Sequence, residues 1–120
     1  MKPHLRWLLL LAALSTSRVA AQTDESILTG SYAVSGATLV DPPPEEPRDT
    51  HLRLHLTGAA ARDLFAALKT EAEYDACLDD GSHRKRLGGT VCTRDPAGRT
   101  FECSLSIELS TQTVLPGAAC

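Results

Sequence analysis

Four cysteines, Cys77, Cys92, Cys103 and Cys120, all lie in the second half of a 120-residue chain. A chain of this size buries a modest core and is marginal without a covalent or metal staple. A zinc site needs thiolates set close together, and the sequence has no CxxC. Disulfides need an oxidising compartment, and the N-terminus points to one. Met1–Ala21, "MKPHLRWLLLLAALSTSRVAA", has a basic start (Lys2, Arg6), an apolar run from Trp7 to Leu14, and small residues at Val19-Ala20-Ala21. That is the layout of a secretory signal peptide. The run is too short to span a bilayer, and no cysteine closely follows it to accept a lipid. The expectation is an exported chain, periplasmic or secreted, with two disulfides and no integral membrane segment after cleavage.

Cleavage at Ala21 removes Lys2, Arg6 and Arg18 but no acid. Nine basic side chains then face fifteen acidic ones, a net charge of −6. So acidic a chain is a poor general binder of nucleic acid, which needs positive charge to displace counterions. Only Tyr32, Phe65, Tyr74 and Phe101 remain as aromatics, too few for a base-stacking platform.

Residues 22–50 read as an N-terminal arm and linker. Gln22–Val40 has β-branched residues but is interrupted by Gly30 and Gly36, so it reads equally as a frayed strand or an ordered arm. "DPPPEEPRDT" (Asp41–Thr50) holds four prolines, which exclude a helix or a central strand and favour an extended acidic spacer. A folded domain over 51–120 is expected after it. "HLRLHL" (His51–Leu56) alternates strictly and reads as a half-buried strand. Ala61, Leu64, Phe65 and Leu68 form one helical stripe, with Thr57 placed as N-cap. "LDDGS" is a turn. Lys85–Arg94 and Thr100–Leu109 read as two strands joined at "DPAG", and Ser110–Cys120 as a tail returning to a disulfide. The expected class is α+β: one helix packed on a small antiparallel sheet in the order strand-helix-strand-strand, disulfide-stapled.

Register decides how the cysteines pair. A four-residue turn, Pro96–Arg99, sets Cys92 opposite Cys103, close enough to bond. A three-residue turn slips the pairing and sets Cys92 opposite Glu102. The apolar pattern of Leu87 and Val91 prefers the second register. A bulge or break at Gly88-Gly89 reconciles it with the first. Cys92–Cys103 is therefore the preferred bridge, and Cys77–Cys120 follows by elimination among the three connectivities that four cysteines allow.

Chemistry is sparse. His51 and His55 share a strand face but stand roughly 13 Å apart at normal strand rise, too far for one metal. Asp75, Asp79, Asp80 and Gly81 lack the alternating ligands and distal Glu of a calcium loop. No GxSxG places a serine nucleophile. Oxidised cysteines are not nucleophiles, and Glu45-Glu46 sits in the solvated spacer. No metal, cofactor or enzymatic activity is expected. "SHRKR" is a basic run in an acidic chain. Exposed basic runs are commonly just solvated, but His83, Arg84, Lys85 and Arg86 are the candidate contacts for a protein or anionic envelope component.

The stretches "TGAAARDLFAAL", "KRLGGTVCTR" and "FECSLSIEL" resemble a group of small exported bacterial proteins of unknown function. They share a small-residue helix, a K-x-x-G-G-x-x-C strand and a closing C-S strand. Lys85, Gly88, Gly89, Cys92, Cys103 and Ser104 carry the match, which spans about half the chain. The resemblance implies an envelope or secreted location and no activity. Size and disulfides are also similar in kind to periplasmic inhibitors of lysozyme. The expectation is thus an exported, non-enzymatic binding domain. An inhibitor or immunity-type protein against a lytic enzyme is the alternative, and a small hydrolase is the rival class.

Overall fold

Strict alternation builds the middle of the sheet. In the computed structural model, which describes residues 24–118 and 120, β2 (His51–Thr57) lies antiparallel to β6 (Phe101–Glu108). Leu52, Leu54 and Leu56 stand opposite Ile107, Leu105 and Cys103. The outer neighbour of β2 is β1 (Gly30–Ser35). On the other side of β6 come β5 (Thr90–Arg94), β4 (His83–Leu87) and β3 (Glu73–Tyr74). The last strand, β7 (Thr113–Leu115), pairs with the later half of β6. The expected signal peptide, Met1–Ala21, lies outside the described residues.

The expected α+β class is therefore corrected. The described residues form one seven-stranded antiparallel sheet with a single ten-residue helix, α1 (Gly58–Ala67), and not a helix laid on a small strand-helix-strand-strand sheet. Four additional strands account for the difference. Gly88-Gly89 does not bulge one strand but reverses the chain, so Lys85–Arg94 is split between β4 and β5, with Leu87 opposite Thr90. Gly88 sits at φ +57°, the left-handed conformation that glycine adopts without a Cβ penalty. In addition, Gly30–Ser35 supplies β1, Glu73–Tyr74 supplies β3, and the tail supplies β7.

The helix stripe has a definite role. Ala61 and Phe65 are buried on α1. With Leu68 just beyond it they join Leu56, Cys92 and Cys103 in the core. The Phe65 and Phe101 rings meet edge to face at 5.4 Å, a favoured aromatic arrangement. Thr57 occupies the N-cap position but gives no side-chain cap; its carbonyl accepts from Thr29 Oγ1.

"DPAG" makes the four-residue turn. Asp95 N donates to Thr100 O, and Asp95 Oδ1 accepts from Arg99 N and Thr100 N. In the register that follows, Cys92 faces Cys103 and is bonded to it, in the core. Cys77 is bonded to Cys120 at the surface. Two disulfides fit an oxidising compartment. No helix among the described residues is long and apolar enough to cross a membrane.

Candidate functional site

The pleat divides the basic run between two faces of the sheet. Successive side chains on a strand point to opposite faces. Lys85 lies in register with Cys92 and Cys103, on the face that carries α1. Its Nζ donates to Phe65 O at 3.0 Å and Leu68 O at 3.2 Å, and it lies over the Phe65 ring. A cation bonded to the last carbonyls of a helix satisfies orphan acceptors and the negative end of the dipole. Lys85 is thereby committed to the fold. His83, half-buried, shares that face and stands opposite Arg94 and Tyr74.

Arg84 and Arg86 point the other way. Two rows of side chains cross the sheet on that face: Arg84, Thr93 and Glu102; and Arg86, Val91, Ser104 and His55. They line a cleft of about 270 Å³. The loop at Asp75–Leu78 and the tail residues Pro116, Ala118 and Cys120 complete it, and the Cys77–Cys120 bridge lies among the lining residues. The tail reaches this position by crossing β6 closely. A Cβ on Gly117 would lie 2.5 Å from Leu105 O, so only glycine fits. Of the four residues expected to form one basic surface, the structure brings Arg84 and Arg86 together and separates them from His83 and Lys85.

The charges in the cleft are unequally matched. Asp75 is buried, and its Oδ1 accepts from Cys77 N at 3.0 Å and Leu78 N at 3.3 Å. Arg84 Nη1 lies 3.5 Å from the same oxygen. Arg84 and Asp75 thus balance, although Arg84 Nε is buried without a partner. His55 Nε2 lies 3.9 Å from Glu102. Among the described residues, Arg86 has no ion-pair partner, and its side chain is exposed. The lining therefore holds two guanidiniums, Arg84 and Arg86, and two carboxylates, Asp75 and Glu102, and among the described residues Arg86 is the guanidinium that touches neither carboxylate. Apolar side chains, Val91, Leu78, Pro116 and Ala118, stand next to them.

Catalytic geometry is weaker. His55 and Ser104 are cross-strand neighbours, and Glu102 is near. A serine nucleophile needs a hydrogen bond to its base, and none joins Ser104 to His55 among the described residues. His51 is buried and bonded to Thr50 Oγ1, and His83 is on the opposite face, so neither histidine joins the cleft. No group of His, Cys, Asp and Glu among the described residues has metal-site geometry.

The loop beside the cleft has its own electrostatics. Asp80 accepts from Ser82 N, and the hydroxyl and backbone of Ser82 hold its carboxyl below the ordinary range. The Tyr74 hydroxyl donates to Asp79, which pushes its own pKa up. Sequence reasoning identified Arg84 and Arg86 but missed Asp75, Thr93, Ser104 and the tail. The alternation of "HRKR" alone could have separated Arg84 and Arg86 from Lys85. The tail's path had no local signal beyond Gly117. No family model, curated protein or solved structure matches the chain.

Proposed function

We propose that this is an exported, non-enzymatic binding domain whose cleft receives an anionic group on an envelope partner. The observation that carries the reading is the position of Arg86: a guanidinium with no ion-pair partner among the described residues, at a cleft beside Arg84, with apolar lining next to it. Arginine presents a planar fork suited to carboxylate or phosphate. The two rows belong to the paired strands β4, β5, β6 and β2, and the walls meet at a disulfide, so little ordering entropy is lost on binding. Periplasmic or secreted residence is part of the proposal and is supported by the two bridges.

The test is titration of the isotopically labelled exported chain with acetate, phosphate and a short acidic peptide. Amide shifts at Val91, Thr93 and Ser104, lost in R86A, are the expected result. Shifts that persist unchanged in R84A/R86A would refute the reading. Envelope capture with the same double variant as control then identifies the partner.

The inhibitor reading has one observation of its own. Leu78, Asp79 and Asp80 are exposed on a loop pinned by Asp75 and the Cys77–Cys120 bridge. A rigid acidic loop suits insertion into a basic lytic-enzyme cleft. A lysozyme inhibition assay, with L78A/D79A as control, tests it.

A further inference from the structure

The two ends of the sheet are finished differently. At one end β3 is two residues long and carries Glu73, which blunts that edge. At the other, β1 is six residues long, "GSYAVS", with no charge and no proline. Such a strand lacks the usual protection against pairing with another chain.

Its free hydrogen-bonding groups can be assigned. Thr57 N donates to Thr29 O, and Thr50 N donates to Ser35 O. Thr29 and Ser35 therefore turn toward β2, as do Ser31 and Ala33 between them in the antiparallel alternation. Tyr32 and Val34 turn their N–H and C=O groups to the open side. Their side chains lie on the same face as Leu54 and Leu52, their partners in register.

Exposed apolar side chains concentrate at the same place. Of the eleven large ones among the described residues, six belong to β1 or to the segments that precede and follow it in sequence: Tyr32 and Val34 on the strand, Ile27 and Leu28 before it, Leu39 and Val40 after it. Tyr32 is 75% exposed and Val34 52%. An apolar strip along an unpaired edge marks an interaction surface.

We propose that this edge pairs with the β1 edge of a second copy, forming a two-fold dimer with one continuous sheet. The sequence identifies the occupant. Ser31-Tyr32-Ala33-Val34-Ser35 has palindromic character about Ala33. An antiparallel pair with its dyad there sets Tyr32 opposite Val34 of the second copy, and Ser31 opposite Ser35 of the second copy. The Tyr32–Val34 pairs are the hydrogen-bonded ones, because those residues present the free groups. Each is an aromatic against a β-branched side chain, a favourable cross-strand pair. A closed two-fold contact uses the same patch on both copies and leaves only the blunted β3 edges at the ends of the joined sheet.

Analytical ultracentrifugation of the exported chain over a concentration series reads the mass, and amide exchange reads the edge. The expected result is a monomer–dimer equilibrium in which the Tyr32 and Val34 amides become protected as dimer forms. The Ser31, Ala33 and Ser35 amides are protected at every concentration. Y32K/V34K should raise the dimer Kd about tenfold or more, since like charges then face each other. Mixing it with Y32E/V34E should restore a dimer, which a merely misfolded variant could not do. A monomer at all concentrations overturns the proposal, as does a dimer unmoved by Y32K/V34K. Protection of Tyr32 and Val34 only on adding an extended peptide would give the edge to a partner strand and also overturn it.

Discussion

The ammonium of Lys85 donates to the carbonyl of Phe65 at 3.0 Å and stands 4.7 Å from the centroid of that residue's own ring. One cation thus closes the C-terminal end of α1 and covers the core phenylalanine. A residue from the middle of a basic run is in this way a structural residue. Its neighbour Arg86, one position on, faces the cleft.

The pair should separate cleanly on substitution. Lys85→Ala removes charge-assisted hydrogen bonds and a cation–π contact, and should cost about 1–2 kcal/mol in urea denaturation. It should leave anion binding unchanged. Arg86→Ala should change stability by less than about 0.5 kcal/mol, as exposed substitutions do, and should abolish the acetate and phosphate shifts.

The two disulfides should differ in accessibility. Cys92 and Cys103 are 0% and 1% exposed, whereas Cys77 and Cys120 are at the surface. Mild reductant followed by alkylation and peptide mapping should label Cys77 and Cys120 first. C92A/C103A should cost about 2–5 kcal/mol, and C77A/C120A a similar amount because that bridge closes the longer loop, with the latter also weakening cleft binding.

Three glycines should respond for different reasons. A Cβ on Gly89 would lie 2.5 Å from the backbone of Leu115, and one on Gly88 would meet nothing within 4 Å. Gly88→Ala should cost about 1 kcal/mol, from positive φ alone. Gly89→Ala should cost more, about 1–3 kcal/mol, because backbone must shift. Gly117→Ala should also displace the tail and alter the cleft. Thermal melts, with the Val91 and Ser104 amide shifts for Gly117→Ala, check these.

Acid should weaken the fold in a defined window. Hydrogen bonds from Thr38, from Ser82 and from Thr100 hold the carboxyls of Glu46, Asp80 and Asp95, respectively, below their ordinary values. A lowered folded pKa means the unfolded chain binds protons first. The stabilisation is therefore complete above about pH 5 and is lost as pH falls through the folded values. Tyr74 has the opposite sign: its raised value adds stability that is complete below about pH 9 and is lost as pH rises further. Stability measured against pH should show a plateau between those limits. Asp95→Ala should flatten the acid limb and destabilise the β5–β6 turn.

What the sequence made readable was local. "HLRLHL" shows its face because one side is leucine, whereas "DPAG" marks a turn but leaves two registers open, and it is the Asp95 bonds to Arg99 and Thr100 that go with the one joining Cys92 to Cys103. The stripe through Ala61 and Phe65 shows the helix because the core selects that period. The edge strand β1 was ambiguous for a physical reason. Most of its residues are exposed, so burial imposes no alternation; Gly30 opens it and Gly36 follows it. Gly88-Gly89 was recognisable as an irregularity, but whether two glycines bulge a strand or reverse it depends on where β4 finds its partner. The cleft was least readable. It depends on Gly117 letting the tail pass over β6, a contact between residues whose sequence neighbourhoods say nothing of each other.

The sheet order has a consequence for how the chain is made. β4, β5 and β6 are joined by two tight turns, so they can zip locally and bring Cys92 to Cys103 early. The β2–β6 pair joins His51 to Glu108 and must wait for a long loop to close. If oxidation follows that order, the first bridge forms within the local hairpin. Only two thiols then remain. The second bridge has no wrong partner left within the chain, and correct connectivity follows from timing, without a disulfide isomerase.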